Sequence, residues 1–141
     1  RGALDEAAAL LLVYLLEKRG IGARMIASDE ASTARIQNLD VDGVRFVCLS
    51  HLGASGGAHA HYLMRRLRRR IPDAPAIAGF WGLTNDDSRF LDAFGTTEGE
   101  VVTTFQDALA RIVAAIEAPP AEPGAEDTQS KDAQPLSEAA A

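Results

Sequence analysis

Apolar residues in this chain gather into short blocks, and the spacing inside the blocks changes along the chain. The first block, residues 4–18, is rich in Ala and Leu and has no polar face between Ala7 and Leu16, which predicts a helix covered on most sides. Asp5 and Glu6 in its first turn, Lys18 and Arg19 in its last and Gly20 beyond follow the charge order and stop signal that helices favour. Residues 21–27 read as a short strand closing on Ser28 and Asp29. Residues 31–39 read as a short helix carrying Ile36 and Leu39, and 40–43 as a turn. Residues 44–49 are mostly β-branched, aromatic or apolar and too few for a helix, as in a strand buried on both faces. Helical spacing returns at 58–71, where Ala60, Leu63, Met64, Leu67 and Ile71 share a face until Pro72 and Pro75 end it. A strand at 76–81 follows, then a helix at 86–94 with Phe90, Leu91 and Phe94 inward and Gly95 as its stop. A strand at 100–104 and an amphipathic helix at 105–116, through Leu109, Ile112, Val113 and Ile116, complete the series.

Strands and helices that alternate at this spacing predict right-handed crossovers and a parallel sheet with helices on both faces. The expected fold over residues 1–117 is therefore an α/β domain, Rossmann-like and flavodoxin-like. A helix as apolar as 4–18 is normally fed by a strand through a short loop, yet only Arg1 to Ala3 precede it. The expectation is that the first strand lies upstream of residue 1 and that Arg1-Gly2 belong to the loop leaving it. The fragment alone would then expose a strand edge at the centre of the sheet. After Ala118 the chain turns to Pro, acid, Ser, Gln and Ala, with Leu136 its one large apolar residue. That composition cannot repay its ordering entropy, so 118–141 is expected to be a disordered acidic tail.

At 141 residues there is one domain's worth of chain. The formal charge of −6 is carried largely by the tail, where Glu122, Glu126, Asp127, Asp132 and Glu138 face only Lys131. A general nucleic-acid binder is usually basic, so no nucleic-acid partner is expected. The single cysteine, Cys48, falls inside a strand and excludes a disulfide or multi-Cys metal framework. No basic stretch leads into an apolar run with a small-residue cleavage site, so no signal peptide is read. The longest apolar run, 7–16, is half the roughly 20 residues that cross a bilayer.

Ligands of open α/β sheets sit beyond the carboxyl ends of the strands. The candidate ligand-binding residues are therefore Ser50, His51, Gly53, Ser55, Gly56, Gly57 and Trp81. The turn Gly-Ala-Ser-Gly-Gly before a helix has the N–H groups and dipole to cradle a phosphate, against the alternative of a flexible connection. It matches neither the phosphate loop ending in Gly-Lys-Ser/Thr nor the dinucleotide Gly-x-Gly-x-x-Gly. His59 and His61 lie two apart, on different helix faces, and no metal site is expected. Ser50 and His51 are strand neighbours that point to opposite faces, so they make a poor catalytic pair, and no enzyme is expected. The Arg run of 65–70, with Leu67 on the apolar face, is read as a solvated face paired with acids elsewhere or as a contact with an anionic surface. For the second reading Arg65, Arg66 and Arg69 are the candidates, with anionic lipid headgroups or an acidic protein as partner.

Two resemblances bear on function. The apolar first helix, Gly-Ile-Gly-Ala-Arg-Met-Ile at 20–26 and Val-Cys-Leu-Ser-His-Leu at 47–52 resemble the cobalamin-binding domain in their order, with Ser50-x-Leu52 similar to its Ser-x-Leu motif. The family's double glycine falls at Gly79-Phe80, so its second glycine is lost. Its Asp-x-His-x-x-Gly stretch falls in residues 1–8, which hold no histidine. The resemblance thus implies the fold without histidine-ligated cobalt, and no cofactor is expected. Arg-Gly-Ala-Leu-Asp-Glu-Ala-Ala-Ala, Val-Cys-Leu-Ser, Tyr-Leu-Met-Arg-Arg-Leu-Arg-Arg-Arg-Ile-Pro and Gly-Phe-Trp resemble the C-terminal extension of long bacterial permeases of the autoinducer-2 exporter-like family. That resemblance covers most of 1–117 and implies an upstream transmembrane region, on the cytoplasmic face of the inner membrane.

The resulting expectation is a non-catalytic regulatory or interaction domain of a membrane permease, sensing a small anionic ligand at the strand ends. Self-association through the helix at 4–18 is a further possible contact. The alternative is a degenerate cobalamin-type cofactor domain of an enzyme or sensor.

Overall fold

The computed structural model describes residues 2–32, 34–94 and 101–119. Three parallel strands, β1 (Val47–His51), β2 (Ala76–Phe80) and β3 (Val101–Val102), pair in the order β1-β2-β3. Val47 lies opposite Ala76, His51 opposite Phe80 and Gly79 opposite Val102. Four helices surround them: α1 (Ala3–Glu17), α2 (Gly57–Arg70), α3 (Ser88–Ala93) and α4 (Phe105–Glu117). The chain is an α/β fold with a parallel sheet flanked by helices, consistent with the Rossmann-like, flavodoxin-like class.

Each face of the sheet buries its own cluster. On one, Leu12 and Leu16 of α1 and Leu109 and Ile112 of α4 close over Ile77 and Val102. On the other, Ala60 and Met64 of α2 and Phe94 close over Ala78 and Phe80, whose ring is fully buried. Phe80 receives the rings of Phe90 and Phe94 edge-on, at 5.0 and 5.4 Å. Thr104 caps α4 by accepting from the Asp107 N–H at 3.1 Å.

Several elements differ from the sequence reading. The strand expected at 44–49 is shifted to end on His51, and α3 is preceded by one 3-10 turn at Asn85–Asp87. The short helix at 31–39 reduces to one 3-10 turn, Ile36–Asn38. Of the strand expected at 100–104, only Val101–Val102 pairs. Glu100, Gly95 and the tail from 120 onward lie outside the described residues.

The expected strand at 21–27 joins no ladder. Its burial nevertheless alternates over residues 21–25, where Ile21, Ala23 and Met25 are half-buried while Gly22 and Arg24 are exposed, before Ile26 and Ala27 break the pattern. Ile21 and Ala23 pack on the Leu12–Leu16 cluster, and Arg24 reaches the carbonyl of Asp40. The period of two was real and the hydrogen bonds are absent, because a ladder needs a neighbouring strand. The segment has no pairing partner among the described residues, and β1 is an edge of the sheet.

Candidate functional site

Asp5 ties α1 to the carboxyl end of β1. Its Oδ1 accepts the Leu52 N–H at 2.7 Å, and its Oδ2 lies 3.4 Å from the Gly2 N–H at the helix start. Its carbonyl accepts from the Ser50 hydroxyl at 3.2 Å. Ser50 Oγ in turn accepts from Trp81 Nε1 at 2.9 Å. The Trp81 ring stacks on Phe105 at 4.3 Å and 18°. Helix α1, both strand ends and α4 are thereby joined through one hydroxyl and one indole.

Beside this network lies a cavity of about 60 Å³. Gly2, Asp5 and Glu6 line it from α1, Ser50 and His51 from β1, and His59 and Leu63 from α2. Ser28 and Ala31 close it from the segment beyond residue 27. Such a space holds a few waters and falls well short of the roughly 300–1,000 Å³ of small-molecule pockets. Among the described residues its ionisable lining is two carboxylates and two imidazoles, with no Arg or Lys. Among the described residues, no three His, Cys, Asp or Glu side chains come together to hold a metal.

Ser50 and His51, of the expected site residues, line this cavity. The glycine turn does not, and its smallness serves packing instead. A Cβ on Gly57 would meet the Phe90 ring at 2.4 Å, and one on Gly56 would lie 3.0 Å from His51 Nδ1. Gly53 precedes, and exposed Ser55 lies within, the 3-10 turn Ala54–Gly56 that leads into α2. His51 stacks on Phe80 at 5.5 Å and 19°. His61, away from the cavity, meets Phe94 edge-on at 5.5 Å.

Gly79 matters for the corrinoid resemblance. A Cβ there would fall 2.2 Å from the Trp81 ring, so the bare face of this glycine admits the indole. The adjoining position is the fully buried Phe80. The residues at this point do not fit a bulky cofactor tail. Cys48, on β1, is buried enough that desolvation pushes its thiol up to about 12, against a smaller lowering by a hydrogen bond with the Gly79 backbone. A thiol held neutral is a poor nucleophile.

The Arg face lies on the outer side of α2. Arg65 and Arg69 are exposed, Arg66 is half-buried with its guanidinium 5.1 Å from the Tyr62 ring, and Arg70 donates to the Leu39 carbonyl at 3.4 Å. Among the described residues no helix is long and apolar enough to cross a membrane. Sequence reasoning placed Asp5 only in the first turn of a helix. Its link to Leu52 spans 47 positions, and nothing local to residue 5 signals it.

No family model, curated protein or solved structure matches the chain.

Proposed function

We propose that residues 1–117 form a non-catalytic interaction and regulatory domain of a larger membrane protein, of the permease kind their segments resemble. One observation carries the reading. The polar groups best placed for chemistry at the strand ends already have partners: Ser50 Oγ donates to the Asp5 carbonyl and accepts from Trp81 Nε1, and the Asp5 carboxylate accepts from the Leu52 N–H. A hydroxyl that accepts from an indole and donates to a carbonyl has little left for a substrate. The adjoining cavity of about 60 Å³ is small for a metabolite, and its carboxylates disfavour the anion expected from the glycine turn. Surfaces remain: the arginines of α2 and the apolar outer side of α1.

The test is made on the parent gene product carrying an epitope tag. It is expected in the inner-membrane fraction of bacterial cells and to remain there through a high-salt wash. Recovery in the unsedimented fraction would overturn the reading.

A further inference from the structure

Helix α2 carries five arginines in six positions, Arg65, Arg66, Arg68, Arg69 and Arg70, and no acid over its whole length. The helix dipole favours basic residues in a last turn, which accounts for Arg68 to Arg70. Arg65 and Arg66 stand a turn earlier, where that field has faded. Arg65 and Arg69, four apart, are exposed and repel one another along one stripe. Neither has a carboxylate partner among the described residues. The chain holds its densest group of acids elsewhere: Glu122, Glu126, Asp127, Asp132 and Glu138, with Lys131 the one base among them.

We propose that the acidic segment 126–132 of the same chain docks on this face, with Glu126, Asp127 and Asp132 set against Arg65 and Arg69. The place where α4 ends argues for it. The Arg45 guanidinium, two residues before β1, donates to the Ile116 carbonyl at 2.6 Å, and the Val47 N–H that opens β1 donates to the carbonyl of Pro75, five residues past α2. Helices α2 and α4 therefore finish at the same end of the sheet, on its opposite faces. Two helix radii and a sheet separate their axes, roughly 20 Å. An extended chain covers about 3.4 Å per residue, so about six residues beyond Pro119 round that end. Glu122 comes too early, whereas Glu126 and Asp127 are the first acids to arrive and Asp132 follows. Tethering holds these acids at an effective concentration in the millimolar range, which favours them over the acids of a second copy at micromolar concentration. Exposed charges hold the contact, so it adds little to the melting temperature and weakens as salt rises. The inference rests on the interaction-surface reading for its purpose: a face held by the chain's own acids is closed to any anionic partner that does not compete for it.

The test attaches a nitroxide to the isotope-labelled full chain carrying Ser130→Cys and reads amide broadening by nuclear magnetic resonance. The parent chain treated alike, with Cys48 alone, is the background. In low salt the amides of residues 62–70 are expected to broaden. Adding Glu126→Gln, Asp127→Asn and Asp132→Asn leaves the tether length unchanged and should reduce that broadening at least threefold, while broadening at the end of α4 stays. Salt at about 1 M should do the same, and Arg65→Gln with Arg69→Gln should give the reciprocal loss. Amides of 62–70 that stay sharp in low salt overturn the proposal. Equal broadening with the neutralised segment overturns it too, because the tether alone then brings the label close. Broadening confined to mixtures of spin-labelled chain with an isotope-labelled second copy moves the contact between molecules and overturns it as well. Each result is independent of membrane fractionation, on which the domain reading stands or falls.

Discussion

Trp81 holds three neighbours at once: its ring stacks on Phe105, covers the bare face of Gly79 and donates its N–H to Ser50. The Gly79→Ala substitution puts a methyl where the ring now sits, and a central strand has little freedom to move away. The indole must leave, losing the stack and the hydrogen bond, at a cost of about 1–3 kcal/mol. Trp81 is the chain's single tryptophan, so its emission reports the change directly. The expected result is a red-shifted spectrum together with a lower melting temperature; parent-like emission would show that the ring has another seat. Cys48 gives a second prediction. Its thiol titrates near 9.0 when unfolded and near 12 when folded, so between those values the folded state holds the proton that the unfolded state loses. Stability contributed by the neutral thiol is complete below pH 9 and falls as pH rises toward 12. Alkylation of the native chain should accordingly be far slower than that of the urea-unfolded chain between pH 8 and 10, and should still be climbing at pH 10 where the unfolded chain levels off. Matching profiles would mean that the thiol is not buried.

At the scale of elements, α1 to α4 and the two longer strands, β1 and β2, were legible because their periodicities are local and strong. Leu63, Met64 and Leu67 fix the inner face of α2, and Ile77 to Phe80 can only be a buried strand. What was not legible depends on partners. Residues 21–27 have a strand's alternation and no ladder, and the glycines of 53–57 read as a phosphate cradle until Phe90 and His51 occupy the space beside two of them. The edge of β1 leads to an amide-exchange prediction. The Val47 N–H donates to the Pro75 carbonyl and the His51 carbonyl accepts from the Trp81 N–H, so by parallel geometry Leu49 shares their side. Cys48 and Ser50 aim their backbone groups away from β2. Exchange should alternate, slow at Val47, Leu49 and His51 and markedly faster at Cys48 and Ser50, as seen by nuclear magnetic resonance. Uniform protection would mean that another strand covers this edge. Helix α2 offers a contrasting surface, where charge replaces apolar area. If Arg65, Arg66 and Arg69 lean on anionic lipid at about 1 kcal/mol each, replacing all three with Ala should weaken binding to phosphatidylserine vesicles roughly a hundredfold at low salt. Equal binding by parent and variant would remove the membrane contact from the reading.

For the whole molecule, the two clusters and the charge distribution point to separate tasks for the domain and its acidic end. Every buried apolar side chain among the described residues lies between Leu12 and Ile112, and α4 closes at Glu117. A chain ended after Pro119 keeps that core intact and should melt within a degree or two of the parent. Its charge changes sharply, because five acids leave with one lysine and the formal net charge moves from −6 to −2. A melting temperature several degrees lower would instead show that residues beyond 119 pack on the domain.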